Sequence, residues 1–149
     1  MKRSADIFLG GQPSRPRLRQ AIATAFHVPL AGVLVREIGA STRPAGDVVF
    51  EYFDDVIPGD YPLQFLPLLR DDLEPRMPDA LRVLAEVLGL PILGDAGLGN
   101  PLLDTLYLPD GSTYTVTTEQ DDDGGIRNTA EMTRLIALAH TADSLPAAS

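Results

Sequence analysis

Strand-like runs in this chain come in groups, three and then two, set between single helical stretches. A doubly wound sheet needs strands and helices to alternate, because each parallel crossover uses a helix. The order here reads α-β-β-β-α-β-β-α. The expected class is therefore α+β, with a mainly antiparallel sheet and about three helices.

The three helices carry their own start and stop signals. The first runs from Arg15 to Phe26, with Ser14 as N-cap and Pro16 in the first turn. Leu18, Ile22, Ala25 and Phe26 make its apolar face. The second runs from Pro78 to Leu88, lined by Leu81, Leu84, Ala85 and Leu88 and stopped by Gly89 and Pro91. The third runs from Thr129 to His140, where Asn128 and Glu131 form a capping box before Met132, Leu135, Ile136 and Ala139.

The strands alternate in burial pattern. Gly32–Ile38 and Gly46–Asp54 flank a turn region at Gly39–Ala45, and Ile7–Leu9 adds a short strand. Val48, Phe50 and Tyr52 share one face and Glu51 the other. Tyr61–Arg70 carries Pro62 and Pro67, which points to an edge or interrupted strand. Leu102–Leu108 and Ser112–Glu119 flank the hairpin turn Pro109-Asp110-Gly111, and Tyr114 and Val116 are expected on the inner face. Residues 1–141 read as one domain and 142–149 as a flexible tail.

Charge is unevenly placed. Residues 1–36 balance to +5 and residues 37–149 to −14, for a net −9. Such a surface suits a basic partner and argues against nucleic acid or anionic lipid. There is no cysteine, which excludes disulfides and thiolate metal sites, and no apolar run fit for a signal peptide or membrane helix. A cytoplasmic protein is expected.

No residue set spells a reaction. Gly10-Gly11 precedes Arg15, Arg17 and Arg19, but the spacing matches neither a P-loop nor a dinucleotide fingerprint. Those arginines sit at the positive end of a helix dipole, a conflict that pairing with the acidic half would relieve. His27 and His140 fall at predicted helix ends, where a cation helps the terminal carbonyls. Neither sits beside a nucleophile motif or at metal-ligand spacing. Glu119-x-Asp121-x-Asp123-Gly124-x-Ile126 has the oxygen spacing of a calcium loop, but Ala130 stands at its closing position and Glu131 comes one residue late. The expectation is no catalytic residue, no cofactor and no metal.

Two acidic tracts are the candidate contact surface. Glu51, Asp54, Asp55, Asp60, Asp71, Asp72 and Glu74 form the first; Asp121, Asp122 and Asp123 form the second. Solvated turns at strand ends compete with a functional anionic patch as the explanation.

Several segments together resemble the immunity proteins of bacterial polymorphic-toxin systems, of the contact-dependent or type VI-like kind. These are Asp6-Ile7-Phe8-Leu9-Gly10, Tyr61-Pro62-Leu63-Gln64-Phe65 leading to Leu69-Arg70-Asp71, and the helix from Pro78 to Leu88. Asp95 with Asn100-Pro101, and Leu108-Pro109-Asp110-Gly111, complete the set. The resemblance implies a small acidic cytoplasmic α+β domain that binds one cognate toxin domain, with a basic cleft, by occluding its active site. The competing readings are a small carboxylate-based ligand- or metal-binding enzyme domain, and a secretion chaperone or adaptor that uses Leu66, Leu68 and Leu69 as an apolar groove.

Overall fold

Ser14 is extended, and its Oγ accepts from the Arg17 N–H at 3.4 Å. Helix α1 (Arg15–Phe26) begins there, with its proline in the first turn where no N–H is missed. It ends on His27 in the left-handed region, φ 55°. Helix α2 (Met77–Leu88) ends on Gly89, φ 66°, as its sequence signals require. Helix α3 (Ala130–Ser144) starts one residue later than expected. The Thr129 hydroxyl accepts from the Met132 N–H and takes the capping role expected of Asn128. The helix also runs through the first residues of the expected tail. These elements come from a computed structural model that describes residues 1–39, 46–53, 57–96 and 102–144.

The strands are β1 (Lys2–Arg3), β2 (Ile7–Leu9), β3 (Val33–Glu37), β4 (Val48–Tyr52), β5 (Leu63–Leu69), β6 (Ile92–Asp95), β7 (Asp104–Tyr107) and β8 (Thr113–Val116). They form one sheet in the order β3-β4-β5-β2-β6-β7-β8, with β1 also on β5. Two further strands, β9 (Glu119–Gln120) and β10 (Ile126–Arg127), form a small separate ladder. The pairing is antiparallel throughout, except that β3 and β4 are parallel. The class is α+β with a mainly antiparallel sheet, in roughly the expected order.

Three details differ from expectation. Ile92–Asp95 is a strand that its short run, broken by Gly94, did not announce. Tyr114, on the edge strand β8, remains 40% exposed, because no neighbour covers its outer side. Strand β5 is interior, despite Pro67. It pairs with β4 along one edge, and with β2 and then β1 along the other. The Pro67 carbonyl accepts from the Ser4 N–H, so the edge that lacks a donor faces the gap between β1 and β2. Residues of an antiparallel strand direct both polar groups to one side, so the β4 ladder loses nothing.

Strand alternation sets two cores. Ile92 and Tyr107 face one side of the sheet; their neighbours Leu93 and Leu106 face the other. Helices α1 and α2 cover the first side and pack Leu18, Ile22, Phe26, Leu81, Leu84 and Leu88 against β2–β6. Met132 and Ala139 of α3 join Leu93, Leu106, Leu108 and Val116 on the second. An aromatic row runs under α1: Phe26 to Phe50 at 6.3 Å, Phe50 to Phe65 at 5.6 Å and Phe65 to Tyr52 at 6.1 Å. Among the described residues no helix is long and apolar enough to cross a membrane.

Leu84 is fully buried between α1, α2 and the sheet, so Leu84→Ala is expected to cost about 2–5 kcal/mol. Pro67→Ala is expected to cost about 1 kcal/mol or less, because only unfolded-state entropy is regained and no ladder bond is lost. Urea unfolding of both variants checks the ordering.

Candidate functional site

The segment before β5 and the β9–β10 turn are locked together. Gly59 has φ +117°, and a Cβ there would meet the Ile126 carbonyl oxygen at 2.5 Å. Gly125 lies against the Pro58 carbonyl with no room for a side chain. These two glycines let the backbones touch. The Asp60 N–H then donates to the Ile126 carbonyl at 2.8 Å, and the Asn128 N–H donates to Asp60 Oδ2 at 2.8 Å. Beneath them Tyr61 is fully buried, and its hydroxyl donates to Asn128 Oδ1 at 2.7 Å. Burial, with the Asp60 charge beside it, pushes the Tyr61 phenol far above its ordinary pKa and keeps it a neutral donor. The Asn128 amide is thus used for this tie and not for capping α3.

The tie places Asp60 beside the turn between β9 and β10. That turn closes through Gly124 N–H to the Asp121 carbonyl and Asp121 N–H to the Gly125 carbonyl. The Arg127 guanidinium pairs with the Asp121 carboxylate and lies opposite Glu119 in the ladder. Asp121 first, and then the Asp60 and Asp123 charges, hold Arg127 firmly protonated. One corner therefore carries Asp60, Asp121 and Asp123 about the Arg127 guanidinium, with Glu119 and Asp122 in the same ladder and turn. Asp60, Glu119, Asp122 and Asp123 are exposed there.

The remaining acids separate from this corner. Asp71, Asp72 and Glu74 follow the far end of β5, whose seven residues span about 20 Å. They are matched by cations. Arg70 bridges Asp72 and Asp47, Lys2 reaches Glu74 at 3.9 Å, and the chain N-terminus reaches Asp71 at 3.8 Å. Its bonds to Arg70 hold the Asp72 carboxyl below the usual carboxylate range. Asp54 and Asp55 lie outside the described residues.

Glu51 corrects the expected contact surface. It is 4% exposed, on the sheet face turned away from α1 and α2. Arg3 donates to one of its oxygens at 2.7 Å, and Arg36 to the other at 3.0 Å. Burial raises its pKa, but the two guanidiniums outweigh burial and the net shift is downward. Glu51 holds the fold together and is not available to a partner.

Other sequence candidates resolve structurally. Gly10 and Gly11 pack against Pro91 and Leu90 with no space for a Cβ, so the glycine pair serves close packing. Arg17 donates to the Leu88 carbonyl at the end of α2, and Arg19 to the carbonyls of Leu30 and Val33. The conflict at the start of α1 is thus met by carbonyls, not by the acidic half as expected. His27 and His140 lie on helices covering opposite faces of the sheet. His140 is within α3 and not at its end. Leu69 is buried, which removes it from any apolar groove. Among the described residues no group of three His, Cys, Asp or Glu side chains is placed to hold a metal ion.

One pair escaped sequence reasoning. Asp95 and Asp104 stand directly opposite each other in the β6–β7 ladder. Burial, and then the Asp95 charge, push the Asp104 carboxyl above its ordinary pKa. The juxtaposition depends on a strand the sequence did not announce and on its register.

No protein-family model, curated protein or solved structure matches the chain.

Two titration predictions follow from opposite signs. The Glu51 pKa is lower in the folded protein, so its stabilisation is present above the unfolded value and is lost as pH falls through the folded one. Glu51→Gln is expected to cost about 3 kcal/mol at neutral pH and to flatten the acid limb of stability against pH. The Asp104 pKa is higher in the folded protein, so stability is lost as pH rises from the unfolded towards the folded value. Asp104→Asn is expected to gain about 0.2–1 kcal/mol at pH 7 and nothing near pH 3. Urea midpoints at several pH values read both.

Proposed function

We propose that this chain is a stoichiometric protein inhibitor of the immunity type, which captures a basic toxin domain in the cytoplasm through the corner formed by Asp60 and Asp121–Asp123. The observation that carries this reading is the convergence of Asp60 with the β9–β10 turn, two segments far apart in the chain. Asp121 pairs with the Arg127 guanidinium there, Asp60 and Asp123 bear on it as nearby charges, and Glu119 and Asp122 stand exposed in the same ladder and turn, on a molecule of net charge −9. The backbone bonds and the buried Tyr61 tie hold these acids in place before any partner arrives. Such preorganisation lowers the entropy lost on binding. The uncancelled field speeds encounter with a positive cleft by roughly 10–10³-fold at low salt. Asp71, Asp72 and Glu74, already paired with internal cations, contribute less to that field. This reading gives no residue of the chain a catalytic role.

The test is co-expression with the C-terminal domain of any large secreted protein found encoded beside this protein's gene, followed by association rates against ionic strength. Asp122→Lys with Asp123→Lys is expected to abolish protection and to slow association most at low salt. Asp71→Lys with Asp72→Lys is expected to protect almost as well as the parent. Unchanged protection and salt dependence in the Asp122/Asp123 variant would overturn the reading. Both variants should melt near the parent, since exposed charges contribute about 0–1 kcal/mol to stability.

A further inference from the structure

A cavity of about 220 Å³ opens between the start of α1 and the sheet surface of β3–β5. Tyr52 and Phe65 give it an aromatic wall, Leu18, Val35 and Leu63 are its aliphatic sides, and Gln12 and Arg15 are its polar groups. The volume lies below the roughly 300–1,000 Å³ of sites for drug-sized ligands, so its occupant is small.

Two features of the lining are left unsettled by the fold. The Tyr52 hydroxyl is shut off from water and has no hydrogen-bond partner among the described residues. A buried hydroxyl without a partner is destabilising, and such a group in a native structure calls for an explanation. The Arg15 guanidinium lies 4.9 Å from the centroid of the same ring. The other arginines of α1 bond to backbone carbonyls, whereas Arg15 has no ion pair among the described residues. A guanidinium with free donors, next to a phenol without a partner, suits an anion with two oxygens. The aromatic and aliphatic walls suit a flat apolar body attached to it.

We propose that this cavity binds a small carboxylic acid with a flat apolar body, its carboxylate held by Arg15 and completed by the Tyr52 hydroxyl. That hydroxyl is closed off from water in the structure, so binding requires a movement that admits the carboxylate, in which the exposed Arg15 side chain swings off the ring face. The carboxylate then accepts from both groups, and the apolar body lies against Tyr52, Phe65 and Leu63. The inference is independent of the acidic corner, which belongs to other elements of the fold.

The probe is benzoate, with benzamide as its neutral counterpart and inorganic phosphate as an anion lacking the apolar body. Titration of the full chain is followed by amide NMR shifts. Benzoate is expected to move resonances of Leu18, Val35 and Leu63 saturably below about 20 mM, the range of a weak site. Benzamide and phosphate are expected to leave them in place. Arg15→Gln is expected to weaken benzoate binding about tenfold or more, as for loss of a charged hydrogen bond. Tyr52→Phe separates binding from folding. Alone it is expected to be at least as stable as the parent, because an unpartnered hydroxyl is removed, while its benzoate affinity falls several-fold. The proposal is overturned if benzoate leaves the cavity resonances unmoved, or if benzamide or phosphate matches it. It is equally overturned if Tyr52→Phe destabilises the protein alone or binds benzoate unchanged.

Discussion

Strand β5 holds the molecule together, because it is paired along both edges. It carries β4, and through it β3, on one side, and the N-terminal strands β2 and β1 on the other. Its inward residues Phe65 and Leu69 meet the helical layer, and Phe65 sits in the aromatic row beneath α1. An interior strand with a proline is unusual, since a missing N–H normally costs a ladder bond. Here the break between β1 and β2 absorbs the defect, with the Pro67 carbonyl bonded to Ser4. The N-terminal residues are thus part of the sheet. Arg3 enters the same arrangement by neutralising Glu51 across the face of β5.

The length of β5 also governs the electrostatics. The acids before it and after it are held at opposite ends of an inextensible strand, so they cannot form one patch. At the far end they meet Arg70, Lys2 and the N-terminus, and the charges are largely balanced. At the near end Asp60 meets a second acidic turn and a single arginine. The basic first third and the acidic remainder of the chain do not face each other as two halves. They interleave at Glu51 and Glu74, and among the described residues the corner at Asp60 and Asp121–Asp123 keeps an excess of acid. That corner is where the inhibitor reading rests, and its rigidity comes from Tyr61 and the two glycines at 59 and 125.

Sequence reasoning was most reliable where the signal is local. Helix α1 has the expected bounds, Arg15–Phe26, because its cap, its first-turn proline and its apolar spacing all lie within a few residues. Helix α2 starts one residue before the expected Pro78 but ends at its terminal glycine as expected, and the turn at Gly111 has φ +89°. Asn128 shows the limit. As a residue type it is a good cap, but the Tyr61 hydroxyl, 67 residues away, takes its side chain.

The sequence by itself determined the helices, the α+β class, the alternation that puts Phe50 inside, and the acidic excess. These depend on short-range geometry and on composition, which need no knowledge of neighbours. Only the tertiary structure decided that Glu51 is buried between Arg3 and Arg36, that Asp60 joins Asp121–Asp123, and that Asp95 faces Asp104. Each of these is a matter of strand order and register. A charged residue on a strand reads the same in sequence whether its neighbour across the sheet is an arginine, an aspartate or water. Which of the three it meets decides whether that charge stabilises the fold, strains it, or is left for a partner.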